Sequence, residues 1–162
     1  MLEILITAVC WLLALFFAAA WGAHLFYATV IYPVQAAKPP ESLTEWLDTP
    51  YAARVFGFWR RLVPGLYTVS SVALIVAIVA GLRVRPALAV AAVCGLLHMT
   101  MVLLVMVPIN VKLGLDPGGP GESSLAPEVV EKLVRRWGHW NLVRIGVETT
   151  GVIAALLALK AS

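Results

Sequence analysis

The sequence predicts an all-α integral membrane protein, a bundle of four transmembrane helices with short interfacial helices in its two long connections. The first observation is composition, because 61% of the 162 residues are hydrophobic, against roughly 45–50% in a soluble domain. The second is that charged residues make up only 13% and leave uncharged runs at 4–37, 62–82 and 86–111. Each run reaches the roughly 20 apolar residues that a spanning helix needs. This pattern excludes a disordered chain, a nucleic-acid-binding domain and an ordinary water-soluble domain.

The four spans are expected within one domain that covers residues 1–162, at about 4–32, 62–82, 87–107 and 139–159. We expect Pro33 to end the first span and Pro108 the third, because proline lacks the amide hydrogen that a helix interior uses. The fourth span is an exception to the uncharged pattern, since it contains Arg144 and Glu148.

The two long connections carry amphipathic segments. In the first connection, residues 41–47 can form a short helix, and between residues 51 and 59 large apolar side chains recur at helical spacing among arginines. Residues 127–138 show the same pattern in the second connection. Segments of this kind lie in the plane of the membrane interface, so we expect interfacial helices in both connections.

An even number of spans places both termini on the same side of the membrane. The long connections carry eight Lys and Arg residues, and the terminal side carries three. Because positive charge is enriched in cytoplasmic loops, the count favours cytoplasmic long connections in a bacterial inner membrane. The bilayer is therefore the first partner, and association of copies into a homo-oligomer is left open.

Three spans each carry an ionisable residue at a similar depth. With a rise of about 1.5 Å per residue, His24, His98 and Glu148 lie roughly 12–14 Å from the long-connection interface, and Tyr67 of the second span comes to the same level. Such residues cost about 2.5–3.5 kcal/mol on insertion scales and usually face a partner or a site. Arg144 shares a helix face with Glu148 at i, i+4 spacing, which predicts an ion pair. The layer is either a buried site or polar contacts that hold the helices together.

The chemistry of such a site has three readings that the residues leave open. His24, His98 and Glu148 form a ligand set for a transition metal, and the two histidines on facing helices could hold a haem from both sides. A histidine beside a carboxylate is also a general base for an acidic, lipophilic substrate. The third reading is a non-catalytic binding or scaffold subunit of the membrane.

Two further segments lie at the long-connection rim. Pro108-Ile109-Asn110 closes the third span, and Trp137, Trp140, Asn141 and Arg144 open the fourth. Together with Gly22 and Pro33 of the first span, these segments resemble the anthrone oxygenase-like family of small four-helix membrane proteins, most of which have no assigned activity. The resemblance covers most of the chain in topology and about a dozen residues in identity, and Met106 stands where family members often carry Asn.

The resemblance implies an enzyme that oxidises an anthrone or a quinone-like molecule with dioxygen, without a metal or flavin. A base removes an acidic C–H proton, and the carbanion reduces oxygen directly. On this reading His24 or His98 is the base beside Glu148, and Arg144 and Asn141 hold the phenolic oxygens. The rest of the substrate-binding set is Asn110 at the rim, together with Trp140 and Tyr67, which stack on flat rings.

Overall fold

A computed structural model describes residues 2–81, 86–114 and 125–160 of the chain. Every regular element in these ranges is helical, and four helical stretches are long and apolar enough to cross a membrane: Glu3–Gln35, Pro50–Ala80, Pro86–Lys112 and Pro127–Lys160. The predicted all-α membrane bundle is therefore confirmed, and the chain is a multi-pass membrane protein. The short turn with Arg83 and Arg85, the predicted end of the second span at residue 82 and the glycine-rich loop after Leu113–Gly114 lie outside the described residues.

The first and third spans share an unusual construction. In the first, α1 (Leu2–Phe26) passes through a π-helical segment (Tyr27–Ile31) into α2 (Tyr32–Gln35). In the third, α5 (Pro86–Met101) passes through a second π-helical segment (Val102–Met106) into α6 (Val107–Lys112). His24 lies three residues before the first π segment, and His98 lies four residues before the second.

Pro33 and Pro108 do not end their helices, contrary to the prediction. Each lies two residues beyond a π segment and has helical residues on both sides. A proline ring clashes with the carbonyl four residues earlier, and in both spans that carbonyl belongs to the π segment. The wider turn of a π segment relieves the clash, so the helix continues for a few more residues.

The amphipathic segments of the long connections are mostly extensions of the spans. Only α3 (Glu41–Leu47) is a separate short helix among the described residues. Residues 50–61 belong to α4 (Pro50–Ala80), and residues 127–138 belong to α7 (Pro127–Lys160). With 31 and 34 residues and a rise of about 1.5 Å per residue, both helices are longer than the roughly 30 Å hydrocarbon core. Their first turns therefore extend past the membrane boundary and still belong to the bundle.

The four long helices form a ring in which α1 packs on α4 and α7, and α5 packs on the same two helices. Phe17 is fully buried at the centre of the apolar core. Glycines let the helices approach here, because a Cβ atom on Gly151 would lie 2.6 Å from the Phe17 ring and one on Gly95 would overlap the Ser70 hydroxyl. Small residues allow this close packing between membrane helices. Glu148 and His98, each three residues from one of these glycines, are thereby brought within reach of α1.

Candidate functional site

The carboxylate of Glu148 contacts imidazole rings from two other helices. His24 Nδ1 lies 2.7 Å from Glu148 Oε1 and 2.9 Å from Oε2. His98 Nδ1 lies 2.9 Å from Oε1 but is not aligned as a hydrogen bond. The exposed fractions of His24, His98 and Glu148 are 2%, 1% and 0%. The structure therefore brings together the three residues whose equal depth the sequence indicated.

The guanidinium of Arg144 adds a cation to this cluster from one turn along α7. Its Nη2 lies 3.4 Å from His98 Nε2, and its Nη1 donates to Asn141 Oδ1 at 3.4 Å. A guanidinium only donates hydrogen bonds, so His98 accepts at Nε2 and its proton lies on Nδ1, towards Glu148. The structure gives no direct ion pair between the described side chains of Arg144 and Glu148. The His98 ring lies between the two charges instead.

Trp59 of α4 supplies the aromatic wall of the site. The His24 ring stacks on it with 4.0 Å between centroids and 24° between planes. The guanidinium carbon of Arg144 lies 5.6 Å from the same ring, within the range of a cation–π contact. Sequence reasoning missed Trp59 because it assigned this residue to an interfacial helix. No sequence signal pointed to it, because Pro64-Gly65 is a pair typical of turns, although α4 continues through it.

These side chains surround a cavity of about 80 Å³, which we call the inner cavity. His24, Trp59, Arg144 and Asn110 line it, and so do six aromatic and aliphatic residues: Tyr27, Val55, Val63, Val102, Met106 and Trp137. The indole of Trp137 donates to Asn110 Oδ1 at 2.9 Å. Since an indole N–H can only donate, this bond orients the amide and leaves the NH₂ group of Asn110 as a donor on the wall.

The remaining predicted site residues have different positions. Glu148, His98 and Asn141 do not belong to the described lining of the inner cavity. They contact two residues that do: Glu148 contacts His24, and His98 and Asn141 contact Arg144. Trp140 is partly buried against the apolar cluster of the long-connection end. Tyr67 is 46% exposed on the outer surface of α4. The structure thus does not bring Trp140 or Tyr67 to this cavity.

The cluster does not have the arrangement of a metal or haem site. Among the described residues, no group of three or more His, Cys, Asp and Glu side chains could hold a metal ion. The Arg144 cation lies 3.4 Å from His98, where it would repel a divalent metal, and both Nδ1 atoms already face the carboxylate. A haem needs far more room, since pockets for molecules of drug size measure about 300–1,000 Å³. The metal and haem readings are therefore not supported.

Comparison with known proteins gives one match. A family model described as anthrone oxygenase matches residues 52–154, which is more than half of the chain. The matched range includes Trp59, His98, Arg144 and Glu148, whereas His24 lies before it. No curated protein and no solved structure matches the chain.

Proposed function

The chain belongs to the anthrone oxygenase family, and from this membership we propose that it is a membrane-embedded oxidoreductase. It uses dioxygen to oxidise a lipophilic aromatic or quinone-like molecule in an intramembrane cavity. The observation that supports this proposal most directly is the position of His24. Its Nδ1 is held by the buried carboxylate of Glu148, and its ring is part of the inner cavity wall.

His24 is the general base in this proposal. A carboxylate accepts hydrogen bonds, so Glu148 keeps the neutral imidazole of His24 protonated at Nδ1. The other ring nitrogen, Nε2, then carries the lone pair that takes a proton from substrate. When the imidazole becomes an imidazolium, the adjacent carboxylate stabilises it, as in other carboxylate–histidine pairs.

His98 is a poorer candidate for the base. Its Nε2 faces the Arg144 guanidinium at 3.4 Å and its Nδ1 faces Glu148 at 2.9 Å. Neither nitrogen is then available to a substrate. We therefore assign His98 and Asn141 to positioning, since they fix the carboxylate and the guanidinium at the cavity wall.

Charge that develops on the reduced oxygen faces two donors. The carbanion that remains after the base removes the C–H proton passes its electrons to dioxygen in the inner cavity, and negative charge develops on the oxygen atoms. Arg144 and the NH₂ group of Asn110 both lie on the inner cavity wall. Fixed donors in a site that excludes water stabilise such an oxyanion strongly.

The proposed reaction needs no reductant besides the substrate. An anthrone carries one CH₂ group opposite its carbonyl, and both C–H bonds of this carbon are broken. One atom of dioxygen becomes the new carbonyl oxygen of the anthraquinone. The other atom leaves as water with the two hydrogens. The carbon loses four electrons and dioxygen takes up all four, so the equation balances.

Oxygen consumption by the detergent-purified protein with anthrone tests the proposal, after subtraction of the spontaneous oxidation in detergent alone. We expect anthraquinone to form in a one-to-one ratio with the oxygen consumed. His24→Ala should reduce the turnover rate about 10²–10⁴-fold, the usual contribution of a general base. His139→Ala is the matched control, because His139 is an exposed histidine on α7. A wild-type protein that binds anthrone without consuming oxygen would instead be a non-catalytic binding protein.

A further inference from the structure

A second cavity lies beside the inner one and is about four times larger, at 330 Å³. We call it the outer cavity. Its volume falls in the range of small-molecule pockets, about 300–1,000 Å³, whereas the inner cavity of 80 Å³ has room only for a few waters or one small reactant. The wall of the outer cavity consists mostly of aromatic and aliphatic residues of the first span, α3 and α4: Phe26, Val30, Ile31, Trp46, Tyr51 and Val55.

Only a thin layer of side chains separates the two cavities. Val55 borders both of them. Phe26 and Tyr27 are adjacent in sequence, but Phe26 is 55% exposed and lines the outer cavity, whereas Tyr27 is 6% exposed and lines the inner one. The edge contact between Tyr27 and Trp46, with 6.3 Å between centroids, closes the layer. The first π segment begins at Tyr27, and segments of this kind often occur at functional sites.

We propose that the outer cavity is the docking site for the unreactive rings of the substrate, which enters sideways from the bilayer. This inference rests on the function proposed above. The reactive carbon passes Val55 and reaches His24, while the inner cavity keeps room for dioxygen. The occupant is a planar, lipophilic molecule of several rings, because the outer wall is apolar and the inner cavity is too small for such a molecule. A partner of this kind is concentrated in the lipid rather than in water.

Arg54 adds a chemical preference to this site. Among the described residues of the outer cavity wall, only Arg54 carries a charge, and its side chain is exposed. A guanidinium at the edge of an apolar cavity pairs with an acidic oxygen while its aliphatic part contacts the rings. The preferred substrate therefore carries a phenol or carboxylate at the end remote from the reacting carbon.

The first test fills the outer cavity. Val30→Trp places a large side chain in it, and Val90→Trp is the matched control, since the two valines are 50% and 47% exposed. We expect Val30→Trp to raise KM for anthrone about tenfold with kcat nearly unchanged, the signature of lost binding that stabilises the ground state and the transition state equally. The control should behave as wild type. Equal kinetics of the two variants would overturn the proposal.

The second test opens the layer between the cavities and covers the case in which Val30→Trp fails to fold. Val55→Ala removes the shared side chain, and Val72→Ala is its control, because Val72 lies on the same helix, is 41% exposed and belongs to the described lining of neither cavity. We expect kcat/KM for anthrone to rise about tenfold in Val55→Ala only, the usual scale for a steric change of this size in a pocket. An equal change in both variants, or none in either, would contradict the assigned role of Val55.

Binding of anthraquinone, measured by calorimetry in detergent, separates this proposal from the proposed function. Suppose that the wild type binds anthraquinone and that Val30→Trp raises the Kd about tenfold relative to Val90→Trp. The docking site is then supported even when no oxygen is consumed. If oxygen is consumed but neither Kd nor KM responds to Val30→Trp, the function stands and the docking site does not. If the wild type does not bind anthraquinone at all, the proposed docking site is wrong.

Discussion

Glu148→Gln tests the core of the site with little change in side-chain volume. Glu148 is fully buried, and both His24 Nδ1 and His98 Nδ1 lie within 2.9 Å of its oxygens. An amide offers one acceptor oxygen and one NH₂ donor group in place of two acceptor oxygens. One imidazole N–H would then face another donor, or its ring would have to change tautomer.

The expected loss of stability follows from these contacts. A hydrogen bond to a charged group contributes about 1.5–3 kcal/mol and a neutral one about 0.5–1.5 kcal/mol. The aligned bond from His24 is therefore weakened, and the unaligned contact of His98 loses its electrostatic part. Arg144 also loses the nearby negative charge, and a buried cation without such compensation is costly. We expect Glu148→Gln to lower the free energy of unfolding by about 2–4 kcal/mol.

Thermal unfolding in detergent, followed by tryptophan fluorescence, measures this change. Glu131→Gln is the matched control, because Glu131 forms an exposed i, i+4 ion pair with Arg135 at 2.5 Å, and such pairs contribute only about 0.3–0.5 kcal/mol. The anthrone assay adds a second readout. If His24 is the base, the kcat of folded Glu148→Gln should fall about 10³–10⁴-fold. Without the carboxylate, the His24 proton can move from Nδ1 to Nε2, the nitrogen that must accept the substrate proton.

The reasoning fails if Glu148→Gln unfolds at the same temperature as Glu131→Gln and keeps wild-type turnover. Loss of stability with full turnover would leave the buried cluster as a structural element and remove His24 from the role of base. Loss of turnover with full stability would mean that the cluster contributes to chemistry without holding the helices together.

Two further predictions concern stability alone. Gly151→Ala should destabilise the protein by about 1–3 kcal/mol, because the added Cβ would lie 2.6 Å from Phe17. Gly146→Ala on the same helix is the control: its Cβ meets nothing within 4 Å, so the substitution should be neutral or stabilising. The unfolding temperatures of the two variants test this prediction. Tyr27→Phe should lower the free energy of unfolding by about 1–3 kcal/mol, because the buried side-chain amide of Gln35 loses the hydroxyl that donates to it. Tyr67→Phe is the control, since Tyr67 is exposed, and should change stability by less than about 0.5 kcal/mol. Equal melting shifts for either pair would contradict the assigned packing.

The sequence determined the architecture because hydrophobic length is set by the bilayer. Four apolar runs of spanning length required four helices, and helical rise placed His24, His98 and Glu148 at one level. The i, i+4 spacing of Arg144 and Glu148 also placed these two residues on one face of the fourth span, and both contact His98. Each of these conclusions depends only on counting residues along one helix.

Other features required the tertiary structure. The π segments before Pro33 and Pro108 have no composition that separates them from an ordinary helix. The position of His98 between Arg144 and Glu148 depends on α5 approaching α7, which no spacing within α7 can indicate. Trp59 reaches His24 only because α4 is continuous from Pro50.

The sequence by itself thus determined how many helices cross the membrane and how deep each polar side chain lies. The tertiary structure alone decided how each helix is rotated about its axis, and so which side chains share the site. In water, the apolar face of a helix points inward and reveals its rotation. In lipid, the outward faces are as apolar as the buried ones: Trp11, Leu15 and Leu104 are exposed, while Leu13 and Phe17 are buried. Periodicity therefore loses its information, and the rotations are fixed by contacts such as Gly151 against Phe17.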